Sequence, residues 1–190
     1  MAYTKLEAIN EILTSVGESA VLTYGQGASD VVNAETVLDL ETRAVLSTGW
    51  ECNTDEDFEL VPDSDGRIAV PADALVVDPV DPYQRITMRK GYLWDKEKHT
   101  DVIGKPVRCR VVRDMAFEEV PYHVQRRIVA QAVVRYQNSY VGSPTLDKAA
   151  QANLAAADAQ AQDIEADVDD YNILDNVDIA WHRRWTVRGL

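Results

Sequence analysis

The 190-residue chain carries 32 acidic against 19 basic residues, a net charge of −13 at pH 7, with 46% hydrophobic and 27% charged content. That is ordinary for a globular protein and enough to bury a core, as one domain or one domain with an elaboration. No apolar run approaches the ~20 residues that span a bilayer, and Met1 to Leu6 lacks the apolar stretch of a secretory signal, so neither membrane nor secretion is expected.

Thr4 followed by Glu7 is a capping box at a helix start. Leu6, Ile9, Leu13 and Val16 mark one face of that helix, with Ile12 at its edge, and Gly17 stops it. Gly25 and Gly27 lack the strand-to-helix pattern or the Gly-Lys-Ser/Thr run of a phosphate turn. A second helix, capped by Ser29 or Asp30, runs to about Thr48 with Val37, Leu38, Ala44 and Val45 as its apolar positions. Gly49 ends it, and Trp50 is expected to fold back as core.

From Glu51 to about Arg113 the texture changes. Phe58, Leu60, Ile68, Val70 and Leu75–Val77 are separated by Pro62, Gly66, Pro71, Pro79 and Pro82, the pattern of short strands and turns. Ile86–Met88 and Tyr92–Trp94 flank Arg89-Lys90-Gly91 as a hairpin. Val107, Cys109 and Val111 alternate with Arg108, Arg110 and Arg113, so this strand has an apolar and a basic face. The basic face is either solvated or an interface to an acidic surface.

Glu118, Glu119 and Pro121 suit the start of a long helix, with Val124, Ile128, Val129, Ala132, Val133, Tyr136 and Tyr140 as a broad apolar face. Gly142-Ser143-Pro144 ends it. Nine alanines then fall within residues 147–168, where Leu146, Ala150, Leu154, Ala157, Ala161, Ile164 and Val168 form a narrow seam suited to close helix packing. Beyond Val168 the helical period stops. An acidic stretch with apolar anchors, Tyr171, Ile173 and Leu174, gives way to Trp181-His182-Arg183-Arg184-Trp185. Tryptophan and arginine are the residues that anchor interfaces, so this tail is read as an arm ordered by a partner.

The charge is uneven: −12 over residues 1–65, +4 over 66–150 and −5 over 151–190. An acidic surface keeps a protein soluble and repels nucleic acid, whose binding needs clustered Lys and Arg. His99, His123 and His182 are scattered, without HxH or HExxH spacing, and no GxSxG elbow is present. Cys52 and Cys109 form no CxxC and are read as reduced, buried thiols rather than a disulfide or metal pair. No catalytic, cofactor or metal site is therefore assigned. The expected fold is α+β: a helical bundle from residues 1–50 and 114–168, a β-rich insertion over 51–113 and an extended C-terminal arm over 169–190.

The order of segments resembles the tail tubular protein A family, the head-to-tail adaptors of short-tailed phages. The likeness runs from about Lys5 to Asn176. It is carried by Leu6-Glu7-Ala8-Ile9-Asn10-Glu11-Ile12-Leu13, Ser15-Val16-Gly17-Glu18, Gly49-Trp50, Gly91-Tyr92-Leu93-Trp94-Asp95, Phe117-Glu118-Glu119-Val120-Pro121, Gly142-Ser143-Pro144 and Tyr171-Asn172-Ile173-Leu174-Asp175. The resemblance implies a structural role in the virion tail, after synthesis in the host cytoplasm. It implies a homo-oligomeric ring of twelve subunits between the portal protein and a tail nozzle of the tubular protein B type, with tail fibres as further neighbours and DNA passing through without specific binding. The arm residues Tyr171, Ile173, Leu174, Trp181, Arg183, Arg184 and Trp185 then become candidates for portal docking. Arg108, Arg110 and Arg113 become candidates for a subunit or nozzle interface. Two other classes stay open: a tail-associated peptidoglycan hydrolase, which needs a buried carboxyl group facing a second one, and a non-viral helical binding module.

Overall fold

The computed structural model describes residues 3–25, 29–140 and 142–168. In chain order they form α1 (Lys5–Ser15), α2 (Ser29–Leu46), β1 (Thr54–Leu60), β2 (Ala74–Pro79), β3 (Ile86–Arg89), β4 (Tyr92–Asp95), β5 (Val107–Arg113), α3 (Tyr122–Tyr140) and α4 (Pro144–Val168). Single 3-10 turns, Glu51–Asn53 and Phe117–Glu119, stand where the chain enters and leaves the strands. The fold is mixed α+β, with four helices and two small antiparallel sheets among the described residues.

The helical layer packs α1, α2 and α3 against one another and lays α4 on α3. At the start of α1 the Glu7 N–H donates to Thr4 Oγ1 (3.2 Å) and the Thr4 N–H donates to the Glu7 carboxylate (2.8 Å), closing the capping box. Ala8, Ile9, Ile12 and Leu13 are buried, so the inward face centres on Ile12 rather than leaving it at the edge, and Leu6 and Val16 flank it half-buried. In α2 the buried set is Val31, Ala34, Val37, Leu38, Val45 and Leu46, with Glu41 and Thr42 between them. Ala44 is exposed, because Val37, Leu38, Glu41, Thr42 and Val45 already define the inward stripe and Ala44 falls outside it. In α3, Val124, Ile128, Val129, Ala132 and Tyr136 enter the same core, while Tyr140 is half-exposed at the last turn. Ala150, Ala157 and Ala161 of α4 are buried, Leu154 and Ile164 are half-buried, and Leu146 stays exposed because it precedes the close approach to α3.

The β layer has its own core of Leu60, Ile68, Val77, Ile86, Leu93, Val107, Cys109 and Val111. Three strands run in the order β1-β5-β2, both neighbours antiparallel to β5, and each ladder carries one register shift. Val111 and Val112 are both fully buried, although successive strand residues point to opposite faces and only Val111 belongs to that core, so this end of β5 is covered on both faces and departs from the simple alternation expected of it. The β3–β4 hairpin forms the second sheet and lies against β2. Its turn residues Lys90 and Gly91 both have positive φ (53° and 79°), the geometry of a two-residue hairpin turn whose twist matches the strands. The outer side of β4 is covered by the β1–β2 connection, where the Leu93 N–H donates to the Ile68 carbonyl (2.9 Å) and the Val70 N–H to the Gly91 carbonyl (2.9 Å).

The two layers are pinned at one buried side chain. Asn53 donates from Nδ2 to the carbonyls of Leu46 (3.0 Å) and Arg113 (2.7 Å), and its Oδ1 accepts from the Trp50 N–H (2.8 Å). It therefore joins the end of α2 to the end of β5. Trp50 is buried beside it and donates its indole N–H to the Val45 carbonyl (2.9 Å), the folded-back position expected from the sequence. Gly49 has φ of +82°, and a Cβ there would run into the Arg110 guanidinium and crowd the Thr54 hydroxyl. Only glycine suits both demands.

Candidate assembly surfaces

The basic side of β5 meets an acidic surface that belongs to its own neighbour. Arg108 pairs with Asp57, Arg110 with Glu56 (3.1 Å), and Arg113 with Asp55 (2.7 Å) and Asp73 (2.9 Å). The consecutive acids Asp55, Glu56 and Asp57 lie at the register shift of β1, within diagonal reach of Arg113, Arg110 and Arg108 on the adjoining β5. The Arg113 bonds hold the Asp73 carboxyl below its ordinary value, and Asp55 and Asp73 in turn raise Arg113. The Arg113 guanidinium also lies 5.0 Å from the Phe58 ring centroid, so Phe58 sits on the outer surface rather than in the core.

Buried polar groups elsewhere are internal ties. Glu41 accepts from Gln131 Nε2 and Arg135 Nη1, both at 2.5 Å. A cation and an amide face it, not the second carboxyl group that glycoside cleavage requires. Gln125 accepts the Tyr3 N–H (2.8 Å) and donates to the Phe117 carbonyl (2.7 Å), fixing the N-terminal entry against the 3-10 turn. Arg127 pairs with Asp158 (2.5 Å) and lies 5.5 Å from the Trp50 ring centroid. His123 Nε2 lies 3.0 Å from Glu165, whose other oxygen accepts the Glu51 N–H (2.9 Å). These contacts fasten the C-terminal half of α4 to α3 and to the interlayer junction. Arg126, Arg127 and Arg135 thus all have partners within the chain.

No nucleophile stands ready among these groups. Burial pushes the thiols of Cys52 and Cys109 up to about 11, so both stay protonated near neutrality. Among the described residues no cluster of three or more His, Cys, Asp or Glu could hold a metal ion, and no helix is long and apolar enough to cross a membrane. An open cleft of about 640 Å³ between the layers is lined by charges that mostly satisfy one another. Lys5 pairs with Glu35 (3.1 Å) and Asp39 (2.9 Å), and Arg43 with Asp114 (3.2 Å). The arm candidates Tyr171, Ile173, Leu174, Trp181, Arg183, Arg184 and Trp185 lie outside the described residues, as does His182.

What remains is a body whose features are surfaces and joints. The tail tubular protein family model matches residues 6–171. Tail tubular protein A of Klebsiella phage KP34 is 33% identical over 119 residues, an alignment spanning 63% of this chain and 63% of that protein. The chain belongs to the tail tubular protein family, the structural proteins of a phage tail. That assignment removes the non-viral reading left open by the sequence. The residues that sequence reasoning missed are the buried polar ties Glu41, Asn53, Gln125 and Gln137, the last of which donates from Nε2 to the Ser15 carbonyl (3.1 Å). The helical period placed Glu41 and Gln125 on inward faces, but their polar side chains masked that position.

Proposed function

We propose that the chain is the head-to-tail adaptor subunit of a short-tailed phage. In this reading copies of the chain form a closed ring, of twelve subunits, between portal and nozzle, and the genome passes through its centre. The observation that carries it is the family match across residues 6–171, which takes in every described strand and helix but for Lys5 at the start of α1. The net charge of −13 per subunit suits a conduit, because a ring of such subunits repels the phosphate backbone instead of holding it. Residues 169–190 serve as the portal-docking arm, with Tyr171, Ile173, Leu174, Trp181 and Trp185 as apolar anchors and Arg183 and Arg184 paired to portal carboxylates.

The test is a truncation. A chain ending at Val168 keeps its circular dichroism spectrum and melting temperature but loses most of its affinity for the portal ring. Unchanged affinity would remove the docking role from the arm. Mass measurement of the full chain with and without the portal ring reads the stoichiometry, and any complex other than a closed ring on the portal contradicts the adaptor reading.

A further inference from the structure

The β layer is polar from one edge to the other. On one side β1 ends the sheet, with β5 as its one strand partner among the described residues. Among the described residues its outer edge therefore presents backbone N–H and C=O groups that no strand pairs. Around that edge stand Asp55, Glu56, Asp57 and Glu59, and residues 51–65 contain seven acidic and no basic residues. Among the described residues Glu59 forms no ion pair, unlike the three acids before it. Two apolar side chains stand exposed in this acidic frame, Phe58 at 37% and Val61 at 62%. The far side of β5 carries β2, and beyond it the β3–β4 hairpin. There Arg85, Arg89 and Lys90 are exposed, with Tyr83 (89% exposed) and Met88 (41%) among them. The Arg89 guanidinium stacks 4.7 Å from the Trp94 ring centroid, which presents it in a fixed position.

An edge strand with four carboxylates cannot pair with its own copy, since like charges directly opposite each other destabilise a ladder. Nucleic acid is repelled for the same reason. The edge fits a cationic surface with apolar anchors, and this chain carries one on the opposite side of the same layer. We propose that β1 of one copy seats against the hairpin end of a second copy, with Glu56 and Glu59 facing Arg85, Arg89 and Lys90, and Phe58 and Val61 meeting Tyr83 and Met88. The contact joins two different patches, so it is heterologous and repeats head to tail, which generates a ring if the rotation closes. It rests on the self-assembly part of the adaptor reading and supplies that reading with a specific subunit contact.

Full-length chain grown on light nitrogen is mixed with chain grown on heavy nitrogen at low ionic strength, where surface charge is least screened. A carbodiimide then links carboxylates directly to lysine amines. The expected product is a mixed-isotope peptide pair joining Lys90 to Glu56 or Glu59. Glu59→Arg and Arg89→Glu should each weaken self-association on the order of tenfold, and the doubly reversed chain should regain most of it. Arg85→Glu provides a hairpin variant that leaves the Arg89–Trp94 stack in place. An oligomer that forms without the mixed cross-link, or that ignores these reversals, overturns this contact and leaves the ring standing. A chain that never associates at low salt and high concentration overturns both.

Discussion

Helices α3 and α4, of 19 and 25 residues, are neighbours held by different physics. α3 buries Val124, Ile128, Val129 and Tyr136 in the middle of the helical core, so its position rests on aliphatic and aromatic area removed from water. α4 touches the body through the small side chains of Ala150, Ala157 and Ala161, and its C-terminal half is secured by Arg127–Asp158 and His123–Glu165. Alanine lets the backbones approach but contributes little transfer free energy. Polar ties with exposed edges contribute roughly 0–1 kcal/mol each. The lesson is that α3 defines the body, whereas α4 is a fitted outer element whose grip depends on a few named contacts.

That contrast is easiest to break in α3. Ile128 is fully buried, and Ile128→Asp places an unpaired carboxylate in the core, at a cost of several kcal/mol, about 3–5. The variant should be largely unfolded or insoluble, read by circular dichroism and chemical denaturation. A stable, well-folded Ile128→Asp protein would disprove the core assignment. Next in size is the interlayer joint. Asn53→Leu strips partners from the Leu46 and Arg113 carbonyls and the Trp50 N–H, and should cost about 2–3 kcal/mol in denaturant melts. Glu165→Ala removes the tie to His123 and to the Glu51 N–H and should cost about 1 kcal/mol. Its effect should be confined to faster amide exchange in the last turns of α4, and equal loosening of α3 would erase the distinction between the two helices.

The smallest effects belong to the surface of the β layer. A double-mutant cycle on Arg108 and Asp57 should return a coupling below about 1 kcal/mol, because both side chains are substantially exposed. Acid should erode the fold in a defined direction. Backbone N–H donors from Thr4 and Lys98 hold Glu7 and Asp95, and Arg113 holds Asp73, below their ordinary values. A depressed carboxyl stabilises the fold above its unfolded-state value and loses that contribution as pH falls through the folded one. Stability should therefore be flat near neutrality and decline below about pH 4.

The helices were legible because each announces itself locally. Thr4 and Glu7, Pro121 after Glu119, and the alanine seam name their helices before any contact is known. The hairpin was legible for the same reason, since Lys90-Gly91 between two apolar triplets leaves few other turns. What pattern could not supply was pairing across long sequence separations. The arginines of β5 read as an open cationic face until β1 brought Asp55, Glu56 and Asp57 alongside them, roughly 50 residues earlier in the chain. Asn53 and Glu41 drew no assignment from the sequence, because polarity says nothing of which carbonyl or guanidinium will meet them. The family resemblance rests on the order of short segments rather than on a site, and the family match supports it over residues 6–171, stopping short of the closing segment after Tyr171.

The central claim is that the helical layer is a fixed body and that the edges of the β layer make the contacts of assembly. Amide hydrogen exchange on the free and the assembled chain tests it most directly. The account predicts that protection gained on assembly falls on β1, over Asp55–Glu59, and on the hairpin around Met88–Gly91, while α1, α2 and α3 exchange at the same rates in both states. Protection gained on the helices, with β1 and the hairpin unchanged, would contradict it.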